Sequence, residues 1–267
     1  MNKKKELLVA KKKIISATSK AINDFSMIEK NDQIMICVSG GKDSYTMLDM
    51  VIHFQKYGET NFDFIVVNMD QKQPDFPVDI LPKYLNKLNL NFKIIEKDTY
   101  SIVKEKIPEG KTMCSLCSRL RRGSLYDCAR ELGCNKIALG HHMDDIIETY
   151  FLNLFFSGKM EAMPPKYLID KGDLIVLRPL SYCKESDIET YSRLMEFPII
   201  PCNLCGSQTN LQRQKIKNLI KEWEISYPNR KAIIFRSLQN VSPSHLLDKN
   251  IYNFQNLSPV EDSNLLV

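Results

Sequence analysis

Short apolar segments rich in β-branched residues alternate along this chain with segments of helical periodicity, and this alternation constrains the fold more than any other feature. Strands that alternate with helices form parallel sheets with right-handed crossovers. We therefore predict an α/β protein with its chemistry in the loops after Val38, Met69 and Leu139, because ligands bind beyond the carboxyl ends of such strands. The predicted strands are Gln33–Val38, Asp63–Met69, Phe92–Glu96, Asn135–Leu139 and Leu174–Leu177, and the predicted helices between them are Ser44–Gln55, Val78–Leu88, Ser118–Leu132 and Asp144–Phe156.

The pattern changes after Pro179 and becomes predominantly helical. A helix is predicted from about Lys184 to Glu196, and the sequence from Asn210 to about Leu238 is again typical of helices. The last residues are polar and lack periodicity, which is typical of a mobile tail. We predict a basic N-terminal arm and helix over 1–29, the sheet domain over 30–200, a small helical C-terminal extension over 201–249 and the tail over 250–267.

Composition argues against a membrane-spanning or disordered protein. The chain has 267 residues, of which 43% are hydrophobic, and this is enough for a packed core. No apolar run reaches the roughly 18 residues of a membrane span, and the start lacks the apolar segment of a signal peptide. We therefore expect a cytoplasmic protein with no membrane partner.

The net charge of +5 does not by itself indicate a polyanionic partner, because six lysines and one glutamate in the first thirteen residues account for it. Two inner stretches, Lys104–Arg122 and Arg213–Arg236, are locally basic. Such clusters are typical of proteins that bind a phosphate backbone, and equally of solvated helix faces. Charge alone leaves both interpretations open.

The string Ser-Gly-Gly-Lys-Asp-Ser at residues 39–44 lies between the first predicted strand and the first predicted helix. Two adjacent glycines allow a sharp turn in which successive N–H groups point at an anion, and the helix N-terminus adds its positive dipole end. The string is neither a Walker A loop nor G-x-G-x-x-G. It predicts a phosphate-binding loop, and the alternative is an ordinary turn before a helix.

A second polar group follows the fourth predicted strand, where Gly140, His141 and His142 precede Asp144 and Asp145. Carboxylates at a helix start could bind a divalent ion or position a nucleotide. Paired histidines with paired aspartates could instead hold a transition metal. Taken alone, these residues are also compatible with a capped loop that carries incidental histidines.

Eight cysteines in a chain expected in the cytoplasm favour metal or redox chemistry over a disulfide framework. Cys114 and Cys117 form one C-x-x-C pair, and Cys202 and Cys205 form another. The spacing leaves open a structural zinc with four cysteines, a redox dithiol and an iron-sulfur cluster. The remaining cysteines are interpreted as buried small hydrophobic residues, namely Cys37, Cys128, Cys134 and Cys183.

The glycine-containing string resembles the PP-loop of the ATP pyrophosphatase superfamily, whose members cleave ATP between the α and β phosphates and adenylate a carbonyl oxygen. The resemblance implies a Rossmann-like fold of the adenine nucleotide alpha hydrolase type, with Asp43 near Mg2+ and Lys42 beside the leaving pyrophosphate. The string Gly-His-His-Met-Asp-Asp resembles the second signature of PP-loop enzymes that modify tRNA, and it implies that Asp145 is catalytic together with Asp43. The implied ATP-binding residues are Ser39, Gly40, Gly41, Lys42, Asp43, Ser44, Asn68, Asp70, Gly140 and His141.

Three further segments resemble the tRNA 2-thiocytidine synthetase family, sulfurtransferases that act on cytidine 32 of the tRNA anticodon loop. The match runs from about Asp24 to Asp248. The segments are KEKIPEGKTMCSLCSRLRRG at Lys104–Gly123, DQKQPDFP at Asp70–Pro77 and FPIIPCNLCGSQTNLQRQ at Phe197–Gln214.

The same resemblance implies an oxygen-sensitive [4Fe-4S] cluster whose ligands are Cys114, Cys117 and Cys205. Three protein ligands leave one iron open for sulfide, as catalytic zinc sites keep one position free. Cys202 is interpreted as a structural neighbour of these ligands.

The implied function is ATP-dependent 2-thiolation of cytidine 32, by adenylation of the C2 oxygen and sulfur transfer through the cluster, with Mg2+ as a further cofactor. The implied partners are tRNA and a cysteine desulfurase that donates sulfur, and a homodimer is expected. Residues expected to contact RNA, if they are not simply solvated, are Arg119, Arg121, Arg122, Arg213 and Lys215.

Two alternatives stay open. Another PP-loop enzyme that modifies tRNA, by 2-thiouridine or lysidine synthesis, would share the ATP signatures. A non-enzymatic, metal-dependent RNA-binding module would need the cysteines and the basic helices, but not the PP-loop.

Overall fold

A computed structural model describes residues 3–73, 76–106, 114–200 and 210–258. Within these residues a six-stranded sheet has the order β3-β2-β1-β4-β6-β5, and every neighbouring pair is parallel except β5 with β6. The predicted α/β class with a parallel sheet is therefore confirmed. The strands are β1 Gln33–Cys37, β2 Asp63–Asp70, β3 Phe92–Glu96, β4 Lys136–Ala138, β5 Lys166–Leu168 and β6 Ile175–Leu177.

Helices connect these strands and extend the chain at both ends. The helices are α1 Lys3–Asp24, α2 Lys42–Tyr57, α3 Ile80–Lys87, α4 Thr99–Lys106, α5 Cys114–Glu131, α6 Met143–Phe156, α7 Glu185–Met195, α8 Asn210–Ser226 and α9 Arg230–Ser237, with short 3-10 turns at Pro243–His245 and Phe254–Asn256.

The central strand β1 is buried on both faces because helices cover both sides of the sheet. Ile34 and Ile36 point into one apolar cluster with side chains of α1, α2 and α7, whereas Met35 points into a second cluster with Cys128 and Ala129 of α5. An apolar run without polar alternation, as in Gln33–Cys37, is typical of such a strand. The packing fixes the carboxyl ends of β1, β2, β4 and β6 along one edge.

The C-terminal helices α8 and α9 pack against α6 rather than against the sheet. Met143, Ile147 and Phe151 of α6 form a third apolar cluster with Ile216 and Ile220 of α8. Because α6 begins directly after the second polar motif, this cluster brings the C-terminal extension next to the predicted site.

The N-terminal segment differs from its prediction. The sequence indicated a basic arm ahead of a helix, but α1 already begins at Lys3 and continues to Asp24. Its inner face buries Ile14 and Ala21, and its lysines pair with carboxylates of α1, α2 and α7, for example Lys13 Nζ with Asp187 Oδ1 at 3.2 Å. The described lysines of this segment therefore lie on a packed helix.

Three other differences concern short or interrupted elements. The antiparallel strand β5 and the helix α4 were not predicted, and the helical stretch predicted over Asn210–Leu238 divides into α8 and α9. Helix α8 ends at Ser226, ahead of Pro228, and Asn229 with a φ of 68° precedes the start of α9. The first residues of the predicted tail, up to Ser258, form turns, and residues 259–267 lie outside the described residues.

Among the described residues, no helix has the length and the apolarity that a bilayer crossing requires.

Candidate active site

The loop at residues 39–44 turns sharply between β1 and α2. Gly40 has a φ of +85°, a left-handed conformation that favours glycine, and α2 begins two residues later at Lys42. The hydroxyl of Ser44 accepts a hydrogen bond from the Ser39 amide at 3.2 Å and donates one to the Gly41 carbonyl at 2.9 Å. The loop is thus closed on itself at the N-terminus of a helix, where anions bind favourably.

A segment from the end of the sheet domain lies directly over Gly40. The Ile200 amide donates a hydrogen bond to the Gly40 carbonyl at 2.9 Å. A Cβ atom on Gly40 would lie 2.7 Å from Ile200 Cδ1, so no larger residue fits without a shift. Ile200 is the last described residue before the second C-x-x-C pair at Cys202 and Cys205.

The loop after β4 packs against the same helix start. A Cβ atom on Gly140 would lie 3.1 Å from the Asp43 carbonyl carbon and 3.1 Å from the Ser44 amide nitrogen. Because backbone atoms cannot move away as side chains can, the glycine permits this close approach. The two motifs that were separated by about a hundred residues in sequence therefore meet at one point.

His142 stands between the two predicted catalytic carboxylates. Its Nε2 lies 3.7 Å from Asp43 Oδ1 and 3.4 Å from Asp145 Oδ2. Its backbone amide donates to Asp145 Oδ2 at 3.1 Å, which fixes the carboxylate at the start of α6. Burial raises the pKa of Asp43, although the charges of His142 and Lys42 partly offset this effect.

These carboxylates suit Mg2+ only together with phosphate oxygens. In the parts of the chain that the structure describes, no three His, Cys, Asp or Glu side chains group closely enough to hold a metal ion by themselves. Asp43 Oδ1 is nevertheless a buried oxygen with no well-formed hydrogen bond, and Lys42 Nζ, itself a predicted phosphate ligand, lies 3.3 Å from it. Mg2+ is commonly held by one or two carboxylates, substrate phosphates and water, and this donor set fits that pattern.

Lys42 belongs to an ion network with α7 and α8. Its Nζ lies 3.2 Å from Glu185 Oε1, and Lys217 Nζ lies 2.8 Å from the same carboxylate. Burial raises the pKa of Glu185, but the hydrogen bond and charge of Lys217 and the charge of Lys42 outweigh it and lower the pKa to about 2. Glu185 is therefore ionised and holds the Lys42 ammonium at the mouth of the loop.

Two further contacts attach the C-terminal helices to this site. Arg213 of α8 lies 3.6 Å from both Asp145 Oδ1 and Glu148 Oε2. Buried Asp144 accepts a hydrogen bond from the Glu185 amide at 2.7 Å and pairs with Lys231 Nζ at 2.6 Å. Asp144 thus joins α6, α7 and α9.

Two of the predicted ATP-binding residues already have partners within the protein. The Asn68 side-chain amide donates to the Val38 carbonyl at 2.7 Å, which holds β2 beside the start of the loop. Asp70 accepts a hydrogen bond from the Lys72 amide at 2.7 Å and pairs with Lys72 Nζ at 3.2 Å. Both side chains are buried at the carboxyl end of β2.

Cys117 lies at this same end of β2. Its Sγ is 3.3 Å from Gln71 Oε1, and the Thr99 hydroxyl donates to the same oxygen at 3.4 Å. Helix α5 begins at Cys114, and a helix N-terminus favours thiolates. The side chain of Cys114 and all of Cys202 and Cys205 lie outside what the structure describes, so the ligand set of the cluster stays a prediction.

The residues predicted to contact RNA divide into two groups. Arg213 lies in the site itself, beside Asp145, with its side chain 37% exposed. Its cation is therefore already paired with carboxylates. The exposed members of the set are Arg119, Arg121 and Arg122 on α5 and Lys215 on α8.

Sequence reasoning missed two residues of the site, Glu185 and Gln71, and considered two others in different roles. His142 was considered as part of a metal site, and Lys217 lies in the basic stretch Arg213–Arg236 that was considered for binding a phosphate backbone. Nothing local in the sequence links Glu185 and Lys217 to Lys42, because only the packing of α7 and α8 brings them there.

Comparison with known proteins defines first the class and then the family. A family model described as "PP-loop domain" matches residues 10–224. The chain is 63% identical over 237 residues to a protein of Cytophaga hutchinsonii named tRNA-cytidine(32) 2-sulfurtransferase, a match that covers 89% of this chain and 83% of that one. It is 60% identical over 252 residues to a protein of the same name from Ectopseudomonas mendocina, covering 94% and 92% of the two chains. The chain therefore belongs to the tRNA-cytidine(32) 2-sulfurtransferase family.

A solved structure shares the fold at lower sequence identity. It is described as U34-tRNA thiolase NcsA from Methanococcus maripaludis with its [4Fe-4S] cluster. The TM-score is 0.66 at 21% identity, over 86% of this chain and 80% of that one. At this identity the likeness supports the fold, and the roles of individual site residues stay predictions.

Proposed function

We propose that this protein catalyses the ATP-dependent 2-thiolation of cytidine 32 in the tRNA anticodon loop. One juxtaposition supports the proposal above all others. The PP-loop follows β1, Cys117 is held beside Gln71 at the end of β2, and these two strands are parallel neighbours. The groups proposed to bind the nucleotide and the groups proposed to handle sulfur therefore lie at one edge of the sheet. A reaction that uses both ATP and sulfur requires this proximity.

The chemistry requires activation because the C2 oxygen of cytosine is a poor leaving group. In the first step O2 bonds to the α-phosphorus of ATP, the bond between the α and β phosphates breaks, and pyrophosphate leaves. In the second step hydrosulfide (HS−) bonds to C2, the bond between C2 and oxygen breaks, AMP leaves and the sulfur gives up its proton. The target base must be unstacked for this, and a single-stranded anticodon loop permits that at low cost.

The residues of the PP-loop act on the leaving group. The N–H groups of the loop and the N-terminus of α2 bind phosphate oxygens, and Lys42 balances the charge that develops on pyrophosphate. Asp43 and Asp145 would hold Mg2+ against the phosphates, with the His142 ring between them and its amide bonded to Asp145. Glu185 keeps the Lys42 ammonium in position before the nucleotide binds.

The cysteines act on the incoming sulfur. When bound by Cys114, Cys117 and Cys205, a [4Fe-4S] cluster would supply the sulfur that replaces the oxygen. We propose a cysteine desulfurase as the sulfur source, with a thiol reductant that brings its persulfide sulfur to the sulfide level. A homodimeric assembly and a cytoplasmic location are also proposed, and like the desulfurase they rest on the family resemblance. Exposed Arg119, Arg121, Arg122 and Lys215 are proposed to bind tRNA phosphates, as arginine and lysine commonly do.

The substitution Asp43→Asn tests whether the protein is an enzyme. We expect thiolation to fall at least a hundredfold, because the variant loses a carboxylate at the Mg2+ position, while tRNA affinity stays within about twofold. Thiolation is measured by mass spectrometry of nucleosides from a tRNA transcript, and tRNA affinity by filter binding. The control is Asp170→Asn, which removes an exposed carboxylate just after β5.

The outcomes separate the alternatives. Unchanged thiolation in the Asp43 variant would contradict the proposed chemistry and favour the RNA-binding module. The product nucleoside distinguishes the enzymes, since 2-thiouridine or lysidine in place of 2-thiocytidine would assign the chain to another PP-loop reaction.

A further inference from the structure

Arg178 is a buried cation at the carboxyl end of β6. Its residue surface is only 7% exposed. The guanidinium lies over the Tyr167 ring at 5.2 Å from the centroid and donates a hydrogen bond to the Pro164 carbonyl. Its Nε atom is buried without a hydrogen-bond partner. No carboxylate of the described residues forms an ion pair with it.

This lack of a counter-ion contrasts with the other buried cation of the sheet. Lys136 is 1% exposed, and its Nζ lies 2.7 Å from Asp32 Oδ2 and 2.5 Å from Glu29 Oε2. Burying a charge is costly unless an opposite charge and hydrogen bonds offset the lost hydration. The structure offsets this cost at Lys136 with two paired carboxylates, whereas the Arg178 charge is offset by the Pro164 carbonyl, the Tyr167 side chain and the charge of Asp145, which does not reach ion-pair distance.

The position of Arg178 connects it with the nucleotide site. The Leu139 amide donates to the Leu177 carbonyl at 2.9 Å, so the loop that carries His141 lies beside the residue after β6. Burial, together with the charge of Arg178, lowers the pKa of His141 to about 4, so the imidazole is neutral. His141 Nδ1 is also buried without a hydrogen-bond partner. Two neighbouring side chains therefore present unsatisfied polar atoms at the edge where ligands bind.

We infer that Arg178 and His141 form a phosphate-binding subsite, in which the guanidinium pairs with a phosphate group of the reaction. The inference rests on the proposed function, which brings two kinds of phosphate to this edge, those of the nucleotide and those of the tRNA backbone. A guanidinium presents its N–H groups as a planar fork that matches phosphate oxygens, and a neutral imidazole can donate one further hydrogen bond. The nucleotide is the favoured source, because His141 shares its loop with Gly140, which contacts the start of α2.

The test compares Arg178→Met, which removes the charge, with Arg178→Lys, which keeps the charge and removes the fork. The probes are α,β-methylene-ATP with Mg2+, and separately a tRNA transcript that carries cytidine at position 32. Each variant is measured for its melting temperature without ligand and for its affinity for each probe. Arg130→Met is the matched control, since it removes a surface arginine whose partners are the exposed carboxylates of Asp127 and Asp173.

We expect Arg178→Met to melt within a few degrees of the wild type, because replacing a buried unpaired charge by an apolar side chain is often neutral or stabilising. Its affinity for one of the two probes should fall roughly 10- to 100-fold, as expected for a lost hydrogen-bonded charge contact. Arg178→Lys should weaken the same probe at least fivefold. Weaker nucleotide binding identifies the nucleotide as the phosphate source, and weaker tRNA binding identifies the backbone.

A structural role for Arg178 predicts the opposite result. In that case Arg178→Met would melt at a much lower temperature or fail to fold, and Arg178→Lys would bind both probes as tightly as the wild type. This pair of results would overturn the inference. Wild-type protein that binds neither probe would instead contradict the proposed function itself, so the two failures are distinguishable.

Discussion

Replacing Glu185 with Gln tests the ion network that positions the PP-loop lysine. Glu185 lies between Lys42 Nζ at 3.2 Å and Lys217 Nζ at 2.8 Å, and its side chain is only 13% exposed. Lowering its pKa from 4.5 to about 2 corresponds to about 3 kcal/mol at about 1.36 kcal/mol per pKa unit. Because Lys217 is 42% exposed, solvent screens part of this energy, and we expect a loss of about 1–2 kcal/mol.

The lowered pKa of Glu185 determines how its contribution to stability changes with pH. A carboxylate with a depressed pKa stabilises the fold above its unfolded pKa, and the contribution disappears as the pH falls through the folded pKa. The difference in unfolding free energy between wild type and Glu185→Gln should therefore be full at pH 7 and shrink between about pH 4.5 and pH 2. Urea unfolding followed by circular dichroism at pH 7, 5 and 3.5 measures it.

A double-mutant cycle with Lys217→Met isolates the pair, and we expect a coupling energy of about 1 kcal/mol at pH 7. Glu189→Gln is the control, because this exposed glutamate lies on the same helix. A difference below about 0.5 kcal/mol at pH 7, or one that grows as the pH falls, would refute the reasoning.

Three other substitutions test the remaining features of the site and its support. Lys136→Ala should cost about 3–5 kcal/mol in urea unfolding, because it leaves the 4% exposed carboxylate of Asp32 buried without its cation. Gly40→Ala should cost about 1–2 kcal/mol through its positive φ, and its clash with Ile200 should weaken ATP binding at least tenfold in calorimetric titration. Gln71→Leu removes the side-chain amide beside Cys117, a proposed cluster ligand. It should therefore leave the melting temperature nearly unchanged but lower iron affinity about tenfold. Iron, sulfide and visible absorption after anaerobic reconstitution measure this.

Each of these has a matched control. Lys30→Ala removes an exposed lysine and should change stability by less than about 0.5 kcal/mol. Gly158→Ala also has a positive φ, of 62°, but meets no atom within 4 Å, so it separates backbone strain from the clash. Gln255→Leu changes an exposed glutamine in the C-terminal 3-10 turn and should leave iron binding unchanged. A Gly40 variant that binds ATP as well as the Gly158 variant would contradict the reading of the loop.

The sheet was predictable because its signals are local. Each long strand is an apolar run bounded by turn residues, and each crossover helix has its own periodicity, so β1, β2, β3 and α6 were placed within one or two residues. The three-residue strand β5 has no period to detect. It exists because it pairs with β6, which is a tertiary contact.

The candidate site was predictable only in its contiguous parts. The motifs around Lys42 and Asp145 could be recognised because their residues are adjacent in the sequence. Glu185 and Arg178, in contrast, owe their roles to burial and to distant partners, and a single glutamate or arginine in a sequence does not show these. Arg213 shows the same limit, because its basic helix gave no sign that this arginine faces Asp145, and its role in RNA binding stays a prediction.

Ile200 links two regions that lie about 160 residues apart along the chain. Its amide is bonded to the Gly40 carbonyl, and Cys202 follows only two residues later. A rearrangement of the loop on nucleotide binding would therefore move Ile200, which precedes the second cysteine pair in the sequence. Thermodynamic linkage makes such an effect mutual: if iron at the cysteines tightens nucleotide binding by some factor, the nucleotide tightens iron binding by the same factor. Iron-free molecules would then hold ATP less firmly, and the dissociation constants of the apo and reconstituted protein should differ accordingly.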